Sequence, residues 1–381
     1  MSKFDFSDII AGRAPTDDEL RYLLNLNDPD EIHLLFDAAY QVKKNRVGQG
    51  VSLRGLIEVG NYCEKNCYYC GIRRDNLKTG RFALNMDEIM FAASEAYEFN
   101  YGSVVLQAGE RHDPGWLDFI TEAVKNIKTI GNGKLGITLS LGEQTLPTYE
   151  RWFEAGAHRY LLRIESSNPA LYHKIHPAEN HSHQVRINAL RDLKQCNYQV
   201  GSGVMCGLPF QGVDDLVGDI NFFQKIDLDM IGMGPYLPHH DTPLPAMSPA
   251  DYHYDPAAQL LLGLKMIACT RLRLRDVNIA ATTALQGLAK NGRELGLLAG
   301  ANVIMPNVTP IRFRDSYKLY DNKPGIDENS SEIRRKLDEA IAGIGEYIRY
   351  GEWGDSPHFK SKKTGYYEEA GATGKNSCIG R

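Results

Sequence analysis

Eight short apolar runs alternate with amphipathic segments of helical length between residues 51 and 306. This alternation restricts the fold more than any other feature of the chain. The runs are Val51–Val59, Ser103–Gln107, Gly136–Leu141, Arg159–Glu165, Gln199–Cys206, Asp229–Gly234, Val277–Thr282 and Asn302–Pro306. Between them, apolar spacing predicts helices over Met86–Phe99, Trp116–Ile130, Thr148–Ala155, Ser182–Gln195, Asp214–Lys225, Pro256–Leu274 and Gly292–Ala299. Glycine or another helix breaker marks many of the joins. Strands that alternate with helices build parallel sheets, and eight is the number that closes into a barrel. The expectation is therefore an α/β fold, a (β/α)8 TIM barrel over residues 51–325, with an open doubly wound sheet as the alternative. Residues 1–50 read as a helical extension: Asp17-Asp18-Glu19-Leu20 opens one amphipathic run, and Asp30 to Lys43 forms another. A stripe of Ile333, Leu337, Ile341, Ile344 and Ile348 predicts a C-terminal helix over 326–353. Residues 354–381 are polar and rich in Gly and Lys, and are expected to be a flexible tail.

Charge and composition exclude several classes. The 43 Lys and Arg against 48 Asp and Glu give a net charge of −5, with no long basic block, so a nucleic-acid partner gains no support. No run of about 18 uncharged apolar residues occurs, so no membrane span is expected. The start, Met1-Ser2-Lys3-Phe4-Asp5, lacks a charged segment followed by an apolar stretch, and a cytoplasmic protein with reduced thiols is expected. Seven cysteines in 381 residues are too few for a disulfide scaffold. Those that cluster are better read as metal ligands or redox groups.

Three of them do cluster, in Cys63-Glu64-Lys65-Asn66-Cys67-Tyr68-Tyr69-Cys70, directly after the first predicted strand. In a barrel that loop lies on the catalytic face. Three thiolates can hold three irons of a cubane 4Fe-4S cluster and leave the fourth without a protein ligand. An open iron binds a chelator, and S-adenosylmethionine (SAM) offers one through its amino and carboxylate groups. A reduced cluster so placed can cleave the sulfonium and release a 5′-deoxyadenosyl radical. A zinc site would want a fourth ligand, and no Cys or His sits nearby at ligand spacing.

The segment resembles the radical-SAM superfamily signature. Residues 55–76, 105–110 (VLQAGE), 137–143 (ITLSLGE), 159–169 (RYLLRIESSNP), 203–209 (GVMCGLP), 230–244, 280–284 (AATTA) and 300–307 (GANVIMPN) narrow the resemblance. They are similar to the HydE maturases of FeFe-hydrogenase, in the same group as biotin synthase and methylornithine synthase. The resemblance implies a catalytic set of Cys63, Cys67 and Cys70 as ligands of one 4Fe-4S cluster. It places Tyr69, Gly109, Glu110, Ser140, Glu165, Arg186 and Met233 around SAM, the carry-over to Arg186 crossing a two-residue insertion. It implies that Gln107, Thr138, Arg159, Arg163, Thr282 and Thr283 line an anion or substrate site inside the barrel, with Tyr317 and Tyr320 near the cavity. The residues themselves leave blander readings open. Arg159, Arg163 and Glu165 point to one side of strand four and would equally form an internal salt-bridge layer. The threonines would equally be β-branched packing, and the methionines core. Position 164 is Ile where some members carry His, and no cysteine lies between Cys269 and Cys378, so one cluster is expected.

The implied reaction is reductive SAM cleavage acting on a small sulfur-containing, cysteine-derived iron complex. The implied partners are that small organometallic or other small-molecule substrate, a one-electron donor and other hydrogenase maturases. A methylornithine-synthase-like mutase, a biotin-synthase-like sulfur inserter holding a second cluster, and a non-catalytic iron-sulfur carrier or scaffold are the alternatives.

Overall fold

The computed structural model describes residues 4–363. Its strands are β1 (Gly50–Gly60), β2 (Ser103–Ala108), β3 (Gly136–Ser140), β4 (Arg159–Leu161), β5 (Gln199–Ser202), β6 (Met205–Cys206), β7 (Met230–Ile231), β8 (Gly234–Pro235), β9 (Asn278–Ile279), β10 (Val303–Ile304) and β11 (Tyr347–Ile348). All pairings between them are parallel, and the main path runs β10-β1-β2-β3-β4-β5-β7-β9. A parallel bridge between Ala280 and Val303 joins β9 to β10 and closes the ring of eight. The barrel is thus the observed form, not the open sheet.

Two of the expected long strands are broken. The run Gln199–Cys206 divides into β5 and β6, and Asp229–Gly234 into β7 and β8, the inner pieces pairing as a separate ribbon. Gly203 explains the break: a Cβ there would lie 2.0 Å from the Gly232 carbonyl oxygen, so the two chains touch backbone to backbone.

Strand residues alternate between helix shell and barrel interior. Val104, Leu106, Ile137, Leu139, Tyr160, Leu162 and Val200 point outward into the main apolar core shared with the helices. Val105, Thr138, Leu161 and Met230 line a small internal cavity. The helices start where local chemistry favours them. Asn85 caps the helix Met86–Glu98 by a reciprocal box with Glu88, and Asp113 caps Pro114–Ile127 at Trp116 N. Thr16 and Glu19 form the same kind of box at Asp17–Leu24, one of three helices in the N-terminal stretch.

The C-terminal region departs from expectation. The helix runs only over Ser330–Gly343, because Gly345 turns the chain in the left-handed region, φ +75°. Tyr347–Ile348 then adds as β11 beside the start of β1. Nor are the first residues of the expected tail loose. The Gly354 carbonyl accepts from Arg54 and from Asn278 Nδ2 at 2.8 Å. Arg159 Nη1 donates to the Trp353 carbonyl at 2.8 Å and to Asp355 at 2.7 Å. Residues 353–355 therefore floor the barrel, and 357–363 are helical. A polar stretch looks like tail in sequence because its anchors are carbonyls and one carboxylate, not an apolar stripe. The rest of that tail, 364–381, lies outside the described residues.

His358 ties this strap to the barrel base. Its ring contacts Asp227 at 2.6 Å and Asp276 at 3.3 Å, and these carboxylates raise its pKa from 6.5 to about 9. A raised histidine stabilises the fold fully below its unfolded pKa and loses that contribution as pH rises through the folded one. Thermal melts should therefore show a loss of stability between pH 6.5 and about 9 that His358→Ala flattens. An unchanged pH profile in the variant would contradict this assignment.

Candidate functional site

The cysteines sit in the loop that follows β1, at the C-terminal mouth of the barrel. Arg81 holds this loop together. Its guanidinium donates to the carbonyls of Asn61 at 2.6 Å, Ile72 at 2.9 Å and Arg73 at 2.6 Å. Asn61 adds a second clasp, donating to Gly80 O at 2.7 Å and Ser316 O at 2.6 Å. Gly109, at the end of β2, allows the loop to lie against the sheet. A Cβ at that position would stand 2.2 Å from Tyr62 O and 2.8 Å from Cys63 Cβ. The close backbone approach expected of this glycine is made to the cysteine loop itself.

Cys63, Cys67 and Cys70 are free thiols, half-buried as residues. Burial pushes all three thiol pKa values up, Cys70 to about 12, and the neighbouring sulfurs raise Cys67 and Cys70 further. Three thiols packed together ionise with difficulty by themselves, whereas a bound metal deprotonates its thiol ligands outright. The donor set therefore fits an iron-sulfur cluster. Glu110 N donates to Cys63 Sγ at 3.3 Å, and His181 Nε2 lies 3.6 Å from Cys67 Sγ. Tyr69 Oη meets His176 Nε2 at 3.0 Å, which fixes the ring beside the loop.

Next to the cysteines lies a buried charge quartet. Arg186 Nε contacts Glu143 Oε1 at 2.5 Å, and Lys65 Nζ contacts Glu143 at 3.0 Å and Glu110 at 3.2 Å. Glu110 Oε2 accepts from Glu143 N at 2.9 Å. Burial raises the Glu110 pKa, with Arg186 pulling against it. For Glu143 burial also pushes upward, but Arg186 and Lys65 outweigh it and hold the carboxyl below its usual range. Two cations and two anions cancel, so an amino acid zwitterion can join them without adding net buried charge. Arg186 thus stands beside Glu110 despite the insertion that precedes it. Glu165 faces the same mouth with φ +65° and pairs with Arg163 at 2.9 Å. Ser140 ends β3, in register with Gln107 on β2.

The residues expected to line the interior separate into two levels. Gln107, Arg163, Thr282 and Tyr317 are near the mouth. Gln107 Nε2 donates to Tyr317 Oη at 3.3 Å. Arg163 Nε and Thr282 Oγ1 are buried with no hydrogen-bond partner among the described residues. Orphaned buried polar atoms at a barrel mouth fit a polar ligand. Thr283 Oγ1 accepts from Arg293 at 3.2 Å, and the half-buried Tyr320 hydroxyl feels the charge of the same arginine. Thr138 and Arg159 lie at the other end. Arg159 Nε donates to Thr138 Oγ1 at 2.9 Å, while Asp355 and the Trp353 carbonyl take up Nη1. Arg159 therefore stands at the barrel floor, its Nη1 met by a carboxylate of the chain's own strap and its buried Nη2 without a partner among the described residues.

Met233 is not brought to the mouth with the other residues expected around SAM. Its side chain is fully buried in the shell, with Thr270 Oγ1 of the helix Pro256–Arg273 3.7 Å from Sδ. Strand parity explains this: Met230 and Gly232 face the cavity, so Met233 turns outward. Sequence reasoning missed the quartet's Lys65, the histidines 176 and 181, and a buried Lys323–Glu58 pair under Tyr317. Only Lys65, inside the cysteine motif, carried a local signal.

A parallel (β/α)8 barrel with this three-cysteine loop at its mouth defines a radical SAM enzyme. Residues 57–223 match the profile of the radical SAM superfamily, whose members bind a 4Fe-4S cluster and SAM. The chain is 44% identical over 312 residues to the FeFe hydrogenase maturase subunit HydE of Thermotoga maritima, covering 82% of this chain and 85% of that one. It is 27% identical over 328 residues to 3-methylornithine synthase of Methanosarcina barkeri, covering 86% and 88%. The crystal structure of methylornithine synthase (PylB) superposes with a TM-score of 0.76 at 25% identity, covering 91% of this chain and 97% of that one. The chain belongs to the HydE family of the radical SAM superfamily.

Proposed function

We propose that this enzyme acts in the maturation of FeFe-hydrogenase, on a small sulfur-containing, cysteine-derived iron complex held at the barrel mouth. The observation that carries this reading is the 44% identity to HydE over 312 residues, 82% of this chain. When bound, the cluster and SAM supply reductive cleavage of the sulfonium to methionine and a 5′-deoxyadenosyl radical. Cys63, Cys67 and Cys70 are the ligands of the cluster. The quartet of Lys65, Glu110, Glu143 and Arg186 receives the amino and carboxylate ends of SAM, with Tyr69, Gly109, Ser140 and Glu165 around it. Arg163, Thr282, Thr283, Gln107, Tyr317 and Tyr320 orient an anionic substrate. The closed ring of strands shields the reacting carbon from water. An external one-electron donor is required, other hydrogenase maturases act beside it, and a reducing compartment, the cytoplasm, suits a site of free thiols.

No helix among the described residues is long and apolar enough to cross a membrane. The test is genetic and biochemical. Cells lacking this protein should lose hydrogenase activity, and wild type but not Cys67→Ala should restore it. Full hydrogenase activity without the protein would refute the maturation role. The likeness to methylornithine synthase favours a carbon-skeleton mutase as the second reading. That reading gains if the hydrogenase is unaffected while 5′-deoxyadenosine still forms. A sulfur inserter is less favoured, because Cys196, Cys206 and Cys269 all lie in the core shared with the helices rather than inside the barrel.

Arg186→Gln leaves two buried carboxylates facing Lys65 alone. Calorimetric titration of SAM into the cluster-loaded variant should show affinity weakened roughly thirtyfold or more, the scale for breaking a buried charge pair. Unchanged affinity would remove Arg186 from the SAM site.

A further inference from the structure

Between the helices Pro169–Ile175 and His183–Gln195 the chain runs beside the cysteine loop and is tied to it at both ends. Tyr68 N donates to Ile175 O at 3.0 Å, Lys65 Nζ donates to Asn180 O at 2.7 Å, and Asn180 Nδ2 donates to Glu64 O at 3.0 Å. These bonds fix two histidines against the loop. In His176 both ring nitrogens are used: Nδ1 donates to Tyr172 O at 2.9 Å, and Nε2 accepts from Tyr69 Oη. His181 is different. It is 4% exposed, with its ring 4.6 Å from that of His176. Its Nδ1 is buried without a partner among the described residues. Its Nε2 has two neighbours, Cys67 Sγ at 3.6 Å and Asn66 N at 3.4 Å.

The state of the sulfur decides what Nε2 does. While Cys67 is a thiol, Nε2 can accept, from the sulfur's own proton or from Asn66 N. A cluster ligand is a thiolate, which can only accept. A ring proton on Nδ1 would then be buried with no acceptor, and a bare Nε2 would face an anion. A proton on Nε2 removes both costs, and only the long contact to Asn66 N is given up. We propose that His181 donates a hydrogen bond from Nε2 to the Cys67 thiolate of the loaded enzyme and so raises the reduction potential of the cluster. A hydrogen bond to a ligand sulfur draws off negative charge, and the reduced form, with one more electron, gains more from this than the oxidised form. At a given reductant strength a larger fraction of the enzyme is then reduced. His181 acts through Cys67, as a positioning residue and not as an iron ligand. The inference rests on the three-cysteine cluster and is independent of the hydrogenase role.

The test is a redox titration of the anaerobically reconstituted enzyme without SAM, the reduced cluster being counted by electron paramagnetic resonance. His181→Phe keeps a ring in the slot and removes the donor. Its ratio of reduced to oxidised cluster at a fixed potential should fall about tenfold, a midpoint lower by about 59 mV for a one-electron couple. His181→Gln, whose side-chain amide offers a donor at the same reach, should recover at least half of that shift. In wild type labelled with nitrogen-15 histidine, pulsed resonance should show a weak coupling of one imidazole nitrogen to the reduced cluster, lost in His181→Phe. A phenylalanine variant with the wild-type midpoint would overturn the proposal. So would a glutamine variant as low as the phenylalanine one, which would assign the shift to packing. A labelled wild type with no nitrogen coupling, or with one as strong as a direct iron–nitrogen bond gives, would overturn it as well. That labelled wild type decides the matter even where the phenylalanine variant loses its cluster. Wild type that takes up no iron would instead refute the radical SAM reading, so the two failures are distinguishable.

Discussion

Replacing Cys67 with alanine should bring 5′-deoxyadenosine formation below about 1% of wild type while leaving the barrel folded, because two thiolates cannot hold three corners of a cubane cluster. The residue is half-buried at the mouth and takes no part in the main apolar core. Its loss therefore removes a ligand without opening the shell. The measurement is chromatographic: reconstitute the protein without oxygen, add SAM and dithionite, and quantify the nucleoside. Cys206→Ala is the control, since Cys206 is buried in the helix-facing core and should keep its activity. Product from Cys67→Ala at the wild-type level would remove this thiol from the site.

The largest effect on stability should come from Asp355→Ala. Arg159 is fully buried at the barrel floor, and Arg54 is nearly so. Their positive charges repel each other, and Asp355 is the carboxylate that answers both. Deleting one partner of a buried pair costs about 3–5 kcal/mol, because the other charge stays behind without compensation. Denaturant unfolding should show that loss, and Arg159→Met/Asp355→Leu should recover part of it. Burial pushes the Asp355 carboxyl up, but His158 and Arg159 outweigh that and hold it well below the usual aspartate range. A depressed carboxylate contributes stability above its unfolded pKa and loses it as pH falls toward the folded one. Wild type should thus lose stability on acidification below about pH 4, and Asp355→Ala should lose less. A variant as stable as wild type at neutral pH would show that the strap does not secure the barrel floor.

The parts of this molecule that repeat or cluster locally were legible in its sequence. Eight alternations of strand and helix dictate a parallel barrel, and three cysteines at x3 and x2 spacing announce their own chemistry. What joins distant residues left no such trace. Asp355 meets Arg159 across nearly two hundred residues, and Lys323 meets Glu58 across more, so neither pair generates a period or a motif. Met233 shows a subtler limit. The resemblance sets it around SAM, while strand parity sends Met230 inward and Met233 outward. Arg159 was legible as a buried cation, but not its partner, because that partner sits in a polar stretch with the composition of a solvated tail. The charge quartet was half visible: Glu110 and Arg186 follow from the resemblance, while Lys65 is hidden among the cysteines it accompanies.

The chemistry depends on an iron that the protein leaves open for SAM. Electron paramagnetic resonance of the reduced, anaerobically reconstituted enzyme tests this most directly, using SAM labelled with nitrogen-15 at its amino group. The spectrum should change on adding SAM and show coupling between the cluster and the labelled nitrogen. A spectrum indifferent to SAM, with no coupling, would mean that a protein side chain fills the fourth corner and that this account of the site is wrong.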